Sequence, residues 1–118
     1  MRKFFNYVLE LAKNVVEKDP AAKSLFLSLF FTPGVKAQAY HYIAHRLFLK
    51  GRYILASIIS NRARRITGIE IHPGAVLGRR ILMDHGMGIV IGETAIVGDD
   101  VTLFHGVTLG GIGGGSGS

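Results

Sequence analysis

The sequence predicts an α+β chain, helical through residue 67 and a β-solenoid from Gly68 onward. Two periodicities carry this reading. Before residue 67 apolar residues recur at helical spacing, as in Phe4, Val8, Leu11 and Val15. After Gly68 every sixth residue counted from 71 is apolar: Ile71, Leu77, Met83, Ile89, Ala95, Val101 and Val107. Counted from 68, six of the eight sixth residues are glycine, at 68, 74, 86, 92, 98 and 110, with Arg80 and Phe104 between them. A fixed period outranks any local preference, because a repeat is one structural unit laid on its neighbours. A six-residue unit fits a short flat strand and a corner, with the apolar position inward and glycine where the corner needs it.

In the first helix Phe5, Ala12 and Val16 widen the stripe, while Lys3, Asn6, Glu10, Lys13, Asn14 and Glu17 fill the other side. Asp19-Pro20 is a helix start, with Asp as N-cap and Pro in the first turn. That second helix is expected to end near Phe31, because Thr32-Pro33-Gly34 reads as a stop and a turn. A third is expected from Val35 to Lys50, capped by Gly51. A fourth runs from Arg52 to Ile66 and ends at Gly68, with either Ile54, Ile58 and Ala63 or Leu55, Ile59 and Arg62 toward a core. The expected domains are residues 1–67 (helical, oligomerising), 68–111 (solenoid coils) and 112–118 (a flexible Gly/Ser tail).

Composition narrows the chemistry. Of 118 residues 48% are hydrophobic and 19% charged, enough apolar matter for a core and too little charge for a disordered chain. Cysteine is absent, which excludes disulfides, thiolate zinc sites and a thiol nucleophile. No apolar run reaches the roughly 18 residues of a membrane span. Met1-Arg2-Lys3 leads into Glu10, Lys13 and Glu17 rather than a secretory apolar stretch, so a cytoplasmic protein is expected. Lys and Arg outnumber Asp and Glu by 14 to 8, a net +6 that suits an anionic ligand. The basic residues are scattered and the aromatics form no nucleic-acid motif, so neither nucleic acid nor membrane is expected as a partner.

Several stretches carry a resemblance. Asp19-Pro20-Ala21-Ala22, Ile43-Ala44-His45-Arg46, Gly68 to Ala75, Asp84-His85-Gly86 through Thr94, and Gly106-Val107-Thr108-Leu109-Gly110-Gly111 resemble the serine O-acetyltransferases. These are hexapeptide-repeat acyltransferases with a left-handed parallel β-helix. The resemblance covers nearly the whole chain. It implies acetyl transfer from acetyl-CoA to the hydroxyl of L-serine in cysteine biosynthesis, with no permanently bound cofactor. It also implies a trimer or a dimer of trimers, and docking of O-acetylserine sulfhydrylase through a C-terminal tail that has no counterpart here.

Such transfer needs a base for the hydroxyl proton, a group that orients the base, and donors for the oxyanion. His85 is the best base available; its equivalents in the next three hexads are read as Ile91, Val97 and Leu103, so an imidazole replaces a wall residue. The resemblance assigns it the general-base role, against the plainer reading of a corner histidine bonded to backbone. Glu70 is the candidate orienter, one coil away if a coil takes eighteen residues, although the family usually has Asp there. Asp84 and Asp19 resemble the acidic residues that hold the serine ammonium; Asp84 could equally make a turn, and Asp19 already serves as a helix cap. Gly110 and Gly111 open what resembles a glycine-rich loop near the cofactor. His72, His41, His45 and His105 are left as packing or surface residues. A γ-class carbonic anhydrase binds zinc on the same β-helix, but the spacing of His85 and His105 does not resemble its close histidine pair, so no metal site is expected.

The basic Arg-His-Pro segment that resembles a clamp for the serine carboxylate has no counterpart here, nor do the later coils of the acetyl-CoA groove. The 118-residue form is therefore expected to associate through its helices and to have negligible transferase activity. The rival readings are an acetyltransferase for a sugar or another amino-alcohol, and a non-catalytic assembly module.

Overall fold

The computed structural model describes residues 2–18, 32–84 and 86–110. Among them are three helices, α1 (Arg2–Lys18), α2 (Pro33–Leu49) and α3 (Tyr53–Thr67). Seven short strands follow: β1 (Glu70–Ile71), β2 (Val76–Leu77), β3 (Leu82–Asp84), β4 (Val90–Ile91), β5 (Ile96–Val97), β6 (Thr102–Phe104) and β7 (Thr108–Leu109). The helix expected from Asp19 to Phe31 and the tail after Gly110 lie outside the described residues.

The α1 stripe buries Val8, Leu11, Ala12 and Val15, as its spacing predicts, but Phe5, expected to widen it, is 60% exposed. Asn14, expected on the wet side, is buried, and its Nδ2 donates to the Arg80 carbonyl at 3.2 Å. Thr32-Pro33-Gly34 is a helix start rather than a turn. Thr32 is extended (φ −83°, ψ 115°) in the N-cap position, and the fixed φ of Pro33 suits the first helical turn. Gly34 sits there because α2 crosses the solenoid closely: a Cβ on it would lie 2.9 Å from Met83 Cβ. The helix ends at Leu49, one residue before its expected end, with Lys50 as its cap residue.

Of the two faces expected for the last helix, Ala63 alone is buried; Leu55 and Arg62 are exposed and Ile59 is half-buried. Ala56, Ala63 and Thr67 are the buried residues of α3, whereas Ile54 is 81% and Ile58 58% exposed. Small side chains let the helix approach α2 and the solenoid closely, which leaves the large ones outside.

The strands stack in parallel as three narrow sheets, β1-β4-β7, β2-β5 and β3-β6. Glu70 stands beside Val90, Leu77 beside Val97 and Asp84 beside Phe104, each twenty positions on. Val90 then stands beside Thr108, only eighteen on. The first coil is thus two residues longer than the next, and the hexad frame slips between Asp84 and Gly88. The apolar positions from Ile71 to Val107 do belong to the core cluster. Before the slip they stack with Ile91, Val97 and Leu103; after it, Ile89 takes the inward place that Ile69 holds in the first coil. Both places point inward because side chains two apart in a strand share a face. Ile91, Val97 and Leu103 are therefore equivalents of Ile71, Leu77 and Met83, not of His85.

The corners follow the same slip. Gly68, Gly88 and Gly106, one per coil, have φ of 74°, 80° and 74°, a region that penalises a Cβ. A second corner uses Arg80 (φ 56°) and Asp100 (φ 59°), whose side chains pair bidentately at 2.7 and 2.9 Å. The first-coil edge facing away from β4 and β5 would present free carbonyls. Five helix side chains donate to them: Ser60 to Ile71 (2.7 Å), His45 to Pro73 (2.8 Å), His41 to Ala75 (2.9 Å), Asn14 to Arg80 and Gln38 to Ile81 (2.9 Å). The helical half is the lid of the solenoid.

Candidate active site

The end of α3 delivers Glu70. Thr67 Oγ1 donates to the Ala63 carbonyl at 2.7 Å and accepts from the Ile69 N–H at 3.1 Å. Gly68 closes the helix in the left-handed conformation, its N–H donating to the Arg64 carbonyl at 2.8 Å. The chain therefore leaves the helix directly into β1. Ile69 and Ile71 go inward and Glu70 outward, exposed, on the wall of a cleft of about 280 Å³. Ser57, Ser60, Asn61, Arg64, His72 and Pro73 complete that cleft, so a carboxylate and a guanidinium share one small polar space. His72 Nδ1 accepts the Gly74 N–H at 2.9 Å, and Phe48 lies edge-on to the ring at 5.7 Å. These contacts give His72 a structural job.

Asp84 is the last residue of β3, its backbone beside Phe104. His85 and the Asp84 side chain lie outside the described residues, as do Asp19 and Gly111. The chain on either side of His85 is nevertheless placed. The Gly88 N–H donates to the Gly68 carbonyl at 2.9 Å, and the Gly106 N–H to the Met87 carbonyl at 3.2 Å. Gly86 is buried against Ile69, whose side chain occupies the space a Cβ would need, and Met87 lies over Gly68 in the same way. Gly86, Met87 and Gly88 are thus seated on Gly68 and Ile69, which directly precede the candidate orienter. Gly110 follows β7, and the Gly92 N–H beside it donates to the Leu109 carbonyl at 2.6 Å.

His41 and His45 have a use that the sequence reading did not assign. They stack at 5.3 Å and 20° while holding the solenoid edge. Burial, and then His45 beside it, lowers the His41 pKa to about 4 against the opposing pull of the Ala75 carbonyl, with a smaller lowering from His72. The available signal was the spacing of Gln38, His41 and His45 on one helix face with Ala37 and Ala44. Among the described residues no group of three or more His, Asp or Glu could hold a metal ion, and no helix is long and apolar enough to cross a membrane.

Helices that lid a stack of six-residue parallel repeats define a hexapeptide-repeat protein. No family model matches the chain. The chain is homologous, over nearly its whole length, to the serine acetyltransferases. It is 50% identical over 113 residues to the serine acetyltransferase of Staphylococcus xylosus, which covers 96% of this chain and 52% of that protein. Soybean serine acetyltransferase complexed with serine superposes with a TM-score of 0.90 at 35% identity, over 99% of this chain and 48% of that one. A serine acetyltransferase in complex with CoA superposes at 0.89 and 33% identity, over 93% and 47%. The chain spans about half the length of each of these relatives.

Proposed function

We propose that this chain contributes to O-acetylation of L-serine by acetyl-CoA, with His85 as general base and Glu70 as its orienter. The observation that supports the reading is the seating of Gly86, Met87 and Gly88, which follow His85, on Gly68 and Ile69, which precede Glu70. In the proposed step His85 takes the proton of the serine hydroxyl as its oxygen attacks the thioester carbonyl. The C–S bond breaks, and the proton passes to the departing thiolate of CoA. Glu70 holds the imidazole N–H that faces away from serine and stabilises the imidazolium. Asp84 and Asp19 hold the substrate ammonium, and Gly110 and Gly111 lie toward acetyl-CoA, a co-substrate rather than a resident cofactor. The working form is a cytoplasmic homo-oligomer, a trimer or a dimer of trimers, with O-acetylserine sulfhydrylase as the partner of the complete enzyme.

The test is a chimera in which residues 1–110 replace the matching part of the Staphylococcus xylosus enzyme. It is expected to release CoA in a serine-dependent manner, and His85→Ala should lower its kcat by about 10²- to 10⁴-fold, the usual worth of a general base. Asp84→Asn should weaken serine far more than acetyl-CoA, because the lost contact is with an ammonium. Near-normal turnover of the His85 variant, or preference for a sugar hydroxyl over serine, overturns the assignment.

A further inference from the structure

Away from that corner, two cavities open where the start of α1 meets the second half of α2. One, of about 550 Å³, is walled by Tyr7, His41, His45 and Arg79; the other, of about 650 Å³, by Arg2, Phe4 and Lys50. Lys3, Tyr42 and Arg46 line both and form the ridge between them. Among the described residues no carboxylate lines either cavity. Arg79 is bound by Glu10 at 2.9 Å, whereas the described ion pairs leave Lys3 and Arg46 unengaged.

The ridge is aromatic as well as cationic. Tyr42 packs against Tyr7 at 5.1 Å and Phe4 at 5.4 Å between ring centroids. The Arg46 guanidinium sits 5.6 Å over the Tyr42 ring and donates to its hydroxyl at 3.4 Å, which aligns the planar fork before any ligand arrives. Burial, with Tyr42 and Glu10 nearby, pushes the Tyr7 hydroxyl well above the usual phenol range, so it stays protonated. Each cavity has the volume of a small-molecule site. Guanidinium and ammonium groups favour phosphate, and ring faces favour another ring.

We propose that the paired cavity beside Lys3, Tyr42 and Arg46 binds a phosphorylated, ring-bearing small molecule of the nucleoside diphosphate type. Lys3 and Arg46 hold the phosphates, and the Tyr7 and Tyr42 side chains line the space that takes the base. The site is separate from the Glu70 cleft and does not depend on the acetyl-transfer reading.

Tyr7 and Tyr42 are two of four tyrosines in a chain without tryptophan, so half of its intrinsic fluorophores lie at this site. Titration with ADP should give a saturable change, with adenosine and inorganic pyrophosphate each binding at least tenfold more weakly, about 1.4 kcal/mol or more. Arg46→Gln and Lys3→Gln, both at exposed positions, should each weaken ADP at least tenfold while the far-ultraviolet circular dichroism stays that of the parent. ADP affinity unchanged in both variants places the nucleotide elsewhere and overturns the proposal. Pyrophosphate binding as tightly as ADP removes the ring from it, and no saturable response to ADP rejects it outright.

Discussion

His41 has two demands on one imidazole: it must donate to the Ala75 carbonyl and stay uncharged beside His45. A neutral ring with its proton on Nε2 meets both. Its pKa of about 4, against an ordinary 6.5, means the unfolded chain binds this proton more readily than the folded one. Stability from this group is therefore complete above pH 6.5, declines as the pH falls, and is gone below about 4. At pH 5 the loss is about 2 kcal/mol. Urea unfolding at pH 7.5 and pH 5 should show that loss in the parent and a smaller one in His41→Gln; equal losses would remove His41 as the cause. At this scale the sequence was partly legible. Glu70, Asp84 and His85 stand out as chemistry-bearing types at a repeat boundary, whereas Asn14 and Gln38 look like surface amides until the carbonyls they serve are known.

Helix α2 joins the two halves, and its sequence misleads where that joining happens. Pro33-Gly34 has the signature of a turn, yet the proline opens the helix and the glycine admits the solenoid. Gly34→Ala should help the helix by at most about 1 kcal/mol. It should cost more through the clash with Met83 Cβ and the Met83 carbonyl oxygen, 3.1 Å from the added methyl, since overpacking a tight contact typically costs about 1–3 kcal/mol. A lowered midpoint of thermal unfolding is expected, and an unchanged or raised one would mean that α2 can move off the coil. For α3 the periodicity was ambiguous for a physical reason. Its large apolar residues outnumber its small ones, and a pattern count favours large residues although the close crossing selects Ala56 and Ala63.

At the scale of the whole molecule, one end of the solenoid is sealed by helices, and the outer face of α3 exposes three isoleucines beside Arg62 and Arg65. Ile54, Ile58 and Ile66 are 81%, 58% and 45% exposed, a patch that fits association between copies. Light scattering should give a mass above that of one chain, and Ile58→Glu should lower it; a monomeric parent would exclude the patch as an interface. The six-residue period made the solenoid legible, but one uniform period concealed its irregular corner, because inward places two residues apart are both apolar. That corner separates two kinds of chain length. Along the flat faces length is quantised, since each strand must end level with the strand below it. Between Asp84 and Gly88 it is not, and the two surplus residues leave every later ladder in phase. Material added at that point changes the numbering of everything downstream and the neighbours of almost nothing, so a repeat fold can acquire a new loop there without renegotiating its core.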